Sequence, residues 1–240
     1  MLENIKIVLI ETSHSGNIGS AARAMKTMGL SQLVLVNPKN NIDEQSFALA
    51  AGADDVVQNA QIVKSFDEAV ADCSLVIGTS ARLRHLQNTL IEPKECGIKI
   101  AEHSQVGKVA LVFGRERVGL INEELLKCTY HLTIPANPEY SSLNLAMAVQ
   151  LACYEIRQGW LALQKIDHHK VKENNYPSAK ELEYFFQQTE LFYKELGFIQ
   201  NKSVMSKLRH LYQKTQLEKG ELNILLGMLK STQKALHKGE

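Results

Sequence analysis

Four short segments of this chain carry residue types suited to chemistry rather than to packing. The first is Ser15-Gly-Asn-Ile-Gly-Ser-Ala-Ala-Arg23, where a strand-like run gives way to a helix-like one. Gly16 and Gly19 permit a tight turn, and a helix N-terminus there would offer free N–H groups to an anion. Arg23 follows one turn later, either as an ion-pair partner or as a cation aimed at a phosphate. The second segment is Val76-Ile-Gly-Thr-Ser-Ala-Arg82. Thr79, Ser80 and Ala81 are small enough to let a ligand reach the backbone; the alternative is a helix cap by Thr79 or Ser80. In the third, Leu111-Val-Phe-Gly-Arg-Glu-Arg-Val-Gly119, an apolar run enters Gly114 and then three charges. Arg115 and Glu116 pack poorly there and suit a surface loop with a polar task. The fourth runs from Leu132 through Ile134-Pro135 and Pro138 to Ser141-Ser-Leu-Asn144. Two prolines stiffen it, Ser141 and Ser142 open a long helix, and Asn144 falls inside that helix, where Asn is a poor former and needs a reason.

The elements that must hold these segments alternate in type. Ile5–Ile10, Gln32–Val36, Ser74–Gly78, Val109–Phe113 and His131–Ile134 read as strands, with a weaker one near Val56–Val57 or Ile62–Val63. Most lack polar alternation, so both faces should be buried, as in a parallel sheet. Helical patterns lie between them at Asn17–Met28, Glu44–Ala51, Phe66–Ala71, Pro93–Glu102 and Glu123–Lys127, and a long one runs from about Ser142 to Leu163. The class is α/β with a doubly wound sheet, whose carboxyl edge carries ligand sites. Residues 1–163 form this domain and 164–176 a polar linker. Residues 177–240 form a small all-α domain, opened by a capping box at Ser178 and Glu181, with a first stop at Gly197.

Composition narrows the function. The net charge is only +1, yet from Trp160 onward there are 13 Lys/Arg against 9 Asp/Glu, and before it 14 against 17. Such asymmetry suits a tail that meets an anion; a solvated helical surface explains it equally well. The four cysteines have no metal-ligand spacing, so no metal is expected. No apolar run reaches the roughly 18 residues of a membrane span, and the expected compartment is a reducing cytoplasm. The segments also lack G-x-G-x-x-G and the phosphate-loop lysine, which counts against an ordinary nucleotide or dinucleotide enzyme. A non-catalytic RNA-binding module is the other rival.

Taken together, Asn17-x-Gly-x-x-x-Arg23, Phe113-Gly-Arg-Glu-x-x-Gly119, and Ile134-Pro135 followed by Ser141-Ser-Leu-Asn144 resemble the three motifs of SPOUT methyltransferases of the TrmH-like branch. The resemblance covers about residues 4–160. Over its whole length the chain is similar to the TrmJ family of tRNA (cytidine/uridine-2′-O)-methyltransferases. It implies a parallel sheet with a deep C-terminal trefoil knot over about residues 76–160. It also implies S-adenosylmethionine as cofactor, tRNA as substrate at anticodon-loop nucleotide 32, and a homodimer with active sites shared between subunits. By motif position it assigns Thr79, Ser80, Ala81, Gly114, Ile134, Ser141, Ser142 and Leu143 to the cofactor, Arg23 and Asn17 to catalysis, and Arg115, Glu116 and Asn144 to support. Arg23 maps to a residue often described as a base. Since neutralising an arginine at pH 7 costs roughly 7 kcal/mol, a cationic role, orienting a phosphate and stabilising an alkoxide, is the alternative. The apolar stripe Leu145, Ala148, Val149, Ala152 and Ile156 could bury against a partner or form ordinary core.

Overall fold

The computed structural model describes residues 1–80, 89–164 and 175–236. Within them the chain forms strands β1 (Ile5–Ile10), β2 (Gln32–Val36), β3 (Gln61–Val63), β4 (Cys73–Thr79), β5 (Thr89–Ile91), β6 (Lys108–Phe113) and β7 (Tyr130–Leu132). They build one sheet in the order β3-β2-β1-β6-β4-β7-β5, and every pairing is parallel.

Helices cover both faces, as apolar strands without polar alternation require. Along β1, Ile5, Ile7 and Leu9 enter one core, while Val8 and Ile10 enter the other. The first core lies under α1 (Ser15–Thr27), α5 (Pro93–His103) and α7 (Leu145–Gln164), with α2 (Glu44–Ala50) and α3 (Asp54–Gln58) beside α1. The second lies under α4 (Phe66–Val70) and α6 (Asn122–Leu125). Helices α5 and α7 cross in close contact. A Cβ on Gly97 would meet the Glu155 carbonyl oxygen at 2.3 Å, and one on Gly159 would meet that of Gly97 at 2.6 Å.

Two elements differ from the sequence reading. Val56 and Val57 belong to α3, led by Asp54 and Asp55, and the weak strand is the one at Ile62–Val63. The edge strand β5 was not foreseen. It has three residues, two of them exposed, and so shows no pattern of its own.

The tail holds α8 (Ala179–Glu195), α9 (Lys202–Lys214) and α10 (Lys219–Leu236) around Phe185, Phe186, Ile199, Met205 and Leu222. Ser178 caps α8, its amide donating to Glu181 Oε2 at 2.6 Å, and Gly197 ends the segment at φ +70°. Of the expected linker, 165–174 lies outside the described residues. The tail meets the sheet domain through few polar contacts, among them Gln216 Nε2 donating to Tyr130 Oη at 2.6 Å and the Lys180 amide to the Ala71 carbonyl at 3.3 Å.

Candidate active site

Parallel strands present their carboxyl ends on one edge, and β4, β6 and β7 are close in the sheet order. A cavity of about 200 Å³ opens there, at the small end for a ligand pocket. Thr79 and Ser80 line it from the end of β4, Gly114, Arg115 and Glu116 from the end of β6, and Ile134, Ser141, Ser142 and Leu143 from the segment after β7. Three segments far apart in sequence thus share one wall. Ala81 lies outside the described residues. Phe113, Val118, Leu120 and Leu145 also line the cavity, and sequence reading passed over them because apolar residues at strand and helix ends look like core; Arg117, one of the three charges after Gly114, lines it as well.

A chain of hydrogen bonds ties the wall to α1. Glu116 accepts from the Ser13 amide at 3.1 Å, from the Ser13 hydroxyl at 3.0 Å and from Asn17 Nδ2 at 3.1 Å. Asn17 Oδ1 in turn accepts from Asn144 Nδ2 at 3.2 Å. Burial opposes ionisation of Glu116, but its own backbone amide and the Asn17 and Ser13 donors outweigh it and hold the carboxyl below its ordinary value. The site therefore contains a fixed negative charge. Ser13 is a member that sequence reading missed; its only signal was a hydroxyl just ahead of a helix.

Asn144 corrects the sequence reading. It does not lie within the long helix, nor do Ser141 and Ser142 open it. Asn144 is the N-cap of α7. Its carbonyl accepts the Ala148 amide at 3.0 Å, and its Oδ1 accepts the Ala146 amide at 2.9 Å. Asn is among the best caps because its side chain satisfies an orphan amide of the first turn, which leaves Nδ2 free to reach Asn17.

Arg115 locks the loop after β6. Its guanidinium donates to Glu11 Oε1 at 2.6 Å and to both oxygens of Glu124, at 3.0 and 3.1 Å. Glu124 first, then Glu11, push the guanidinium pKa up against the opposing effect of burial. The Arg115 hydrogen bond, with help from Lys39, brings the Glu11 pKa down to about 2. Arg115 thus bridges Glu11 and Glu124 at the cavity wall.

The glycines of the first segment do not make a turn. Both lie inside α1, and a Cβ on Gly19 would sit 1.9 Å from the Ser46 carbonyl oxygen. They admit α2 against α1. Arg23 is exposed on α1 and makes no ion pair or side-chain hydrogen bond among the described residues. It does not line the cavity of its own chain. Of the stripe that could meet a partner or form ordinary core, Leu145, Val149, Ala152 and Ile156 are core, buried within the single chain. The large apolar residues that α7 leaves exposed are Met147, Leu151 and Tyr154, and Leu143 just ahead of it is exposed too.

The donor set suits S-adenosylmethionine. Hydroxyls of Thr79, Ser80, Ser141 and Ser142 match polar edges, Ile134 and Leu143 match flat apolar faces, and the Glu116 carboxylate offsets a sulfonium charge. A larger cavity, of about 460 Å³, lies between α4, β4 and the tail helices α8 and α9. It contains none of the motif residues, so volume does not locate the site. No cluster of metal-ligating side chains occurs among the described residues.

The SpoU rRNA methylase family model matches residues 4–154, and the C-terminal domain model of the tRNA methyltransferase TrmJ matches residues 180–240. An uncharacterized tRNA/rRNA methyltransferase of Haemophilus influenzae is 66% identical over 98% of this chain and 97% of its own length. The tRNA (cytidine/uridine-2′-O-)-methyltransferase TrmJ of Klebsiella pneumoniae is 57% identical over 96% of this chain and 97% of its own. The crystal structure of TrmJ from Z. mobilis ZM4 superposes with a TM-score of 0.82 at 32% identity, covering 95% of this chain and 98% of that one.

Proposed function

The chain belongs to the SpoU rRNA methylase family and, within it, to the TrmJ tRNA methyltransferases; on that premise we propose that it methylates a ribose 2′-hydroxyl of tRNA, at the cytidine or uridine of anticodon-loop nucleotide 32, with S-adenosylmethionine as donor. The observation that carries this reading is the hydrogen-bonded chain Ser13–Glu116–Asn17–Asn144, which binds all three motif segments around one cavity at the carboxyl edge of the sheet.

Bound S-adenosylmethionine supplies an electrophilic methyl group on a sulfonium. The residues of the cavity then have distinct tasks. Thr79, Ser80, Ser141 and Ser142 hold polar edges, and Ile134 and Leu143 flank a ring. Glu116 and Asn144 hold Asn17 in place, and Asn17 positions the ribose. Arg23 stays cationic, grips the phosphate beside the target ribose with its planar fork, and stabilises charge on the 2′-oxygen as the proton passes to solvent.

The site is completed by a second copy in a homodimer. Two observations support this: Arg23 stands outside its own chain's cavity, and Leu143, Met147, Leu151 and Tyr154 form an apolar face without cover. A trefoil knot is supported by the place of β7, which lies between β4 and β5 although it follows both in the chain. The tail docks tRNA. Lys207 and Lys214 are exposed and unpaired among the described residues, whereas Arg209 is held by Glu183 at 2.6 and 2.8 Å, over the Phe186 ring. Lys165, Lys170 and Lys172 lie outside the described residues. A cytoplasmic location follows from a tRNA substrate.

The test maps 2′-O-methyl groups in tRNA from cells with and without this gene. Loss of the modification at nucleotide 32, restored by the wild-type gene and not by Arg23→Ala, is the expected result. An unchanged map refutes the reading.

A further inference from the structure

We infer that Tyr140 is the platform on which the base of the target nucleotide stacks, an inference that rests on the tRNA reading above. Tyr140 is 82% exposed, the most exposed of the large hydrophobic residues of the described chain. It is not a frayed side chain on a loose loop. Pro135 and Pro138 fix φ at two positions of the segment between β7 and α7. Asn137 then closes a turn: its carbonyl accepts the Tyr140 amide at 2.9 Å, and its Oδ1 accepts the Glu139 amide at 3.1 Å. The backbone is ordered so that a phenol ring stands in water.

The position of that ring selects its partner. The next three residues, Ser141, Ser142 and Leu143, are cavity wall, yet Tyr140 does not line the cavity. Its Cα is one step of about 3.8 Å from that of Ser141, the first residue of that wall. A nucleotide presenting its 2′-hydroxyl to the cavity must place its base somewhere beside the mouth. Cytidine and uridine have opposite hydrogen-bonding character at position 4 of the base, so a polar group reading that edge would separate them. A π-face does not, because stacking is tolerant of sequence. An exposed aromatic ring therefore fits an enzyme that accepts both pyrimidines.

The test uses the full-length protein and a tRNA in which the methylated nucleotide has first been mapped with the wild type. Tyr140→Leu keeps apolar bulk without a π-face, and Tyr140→Phe keeps the face without the hydroxyl. Tyr140→Leu should lower kcat/KM for tRNA by roughly five- to 150-fold, the range for one stacked base, equally for cytidine and uridine at the target. Tyr140→Phe should stay within about twofold, well below that range. S-adenosylmethionine affinity and sedimentation should not change. Binding to a tRNA that is abasic at the target nucleotide should then be the same for wild type and Tyr140→Leu. The inference is overturned if the Leu variant still binds the abasic tRNA less tightly than wild type, if Phe fails as badly as Leu, or if cofactor affinity or dimerisation falls instead. A wild type that does not methylate tRNA sinks the underlying reading before any variant is made.

Discussion

Asn144 both caps α7 and donates to Asn17, and two substitutions separate the two contacts. Asn144→Ala removes the α7 cap, worth about 1 kcal/mol, and an exposed hydrogen bond to Asn17, near the low end of about 0.5–1.5 kcal/mol. The loss of roughly 1–2 kcal/mol lowers Tm by about 2–8 °C for a chain of this size. Asn144→Asp behaves differently. Asp caps as well as Asn does, and a carboxylate at a helix N-terminus gains about 0.3–1 kcal/mol from the dipole. Yet it cannot donate to Asn17 Oδ1, which now accepts at 3.2 Å. Asn17 must turn its amide toward the new carboxylate and withdraw the Nδ2 that Glu116 accepts at 3.1 Å. Hydrogen bonds to a charged group are worth about 1.5–3 kcal/mol, so kcat/KM should fall roughly ten- to 150-fold. Thermal unfolding and methyl transfer, measured side by side, decide the matter. Asn144→Asp should melt at or above the wild type and show the roughly ten- to 150-fold loss of kcat/KM. Full activity in this variant refutes the functional network, and a Tm as low as that of Asn144→Ala refutes the cap.

Other expectations follow from the same geometry. Arg23→Ala should abolish methyl transfer while leaving S-adenosylmethionine affinity intact, and Arg23→Lys should be poor because a point charge lacks the planar fork; activity within about tenfold of wild type, under ~1.4 kcal/mol, removes Arg23 from catalysis. A chain ending at Gln164 should still bind S-adenosylmethionine and lose most tRNA affinity, and the tRNA affinity of the full-length protein should fall steeply with added salt; normal turnover without the tail contradicts a docking role. Replacing Met147 and Leu151 together by Glu should give a monomer in sedimentation that binds cofactor but does not turn over. Acid stability should fall between about pH 4 and pH 2. Arg115 and Lys39 lower Glu11 to about 2, and at Asp72, where burial acts the other way, Lys108 at 2.8 Å and Lys6 at 2.6 Å lower the carboxyl to about 2; both lie near 4 when unfolded, so their stabilisation is complete above the unfolded value and lost as pH drops through the folded one. Glu11→Gln or Asp72→Asn should flatten that acid limb in pH-dependent unfolding curves.

The sheet was legible because burial on both faces leaves long apolar runs. Ile5–Ile10 and Gln32–Val36 have the bounds read from sequence. What escaped was set by tertiary approach rather than by local pattern. Gly16 and Gly19 look like a turn in one dimension and prove to be the clearance between α1 and α2. The stripe on α7 has the same period whether it meets its own sheet or another chain, and only the fold shows that Val149 and Ile156 are already covered. Asn144 was anomalous as a helix interior residue; the anomaly was real, and its cause was a boundary three residues later than expected.

The cavity residues were found by resemblance, and the fold gives a physical reason why those positions must act together. Strand order β1-β6-β4-β7 brings the ends of four non-consecutive strands to one edge. The segments after β1, β6 and β7 are fastened to one another: Arg115 ties the β6 loop to Glu11 at the end of β1, Glu116 ties it to Ser13 and Asn17, and Asn144 ties the β7 exit to the same Asn17. Both amide ends of Asn17 are thereby occupied by neighbours of the cavity wall, while Arg23, six residues along the same helix, remains free. Two asparagines and a carboxylate thus join the cavity wall to the helix that carries Arg23.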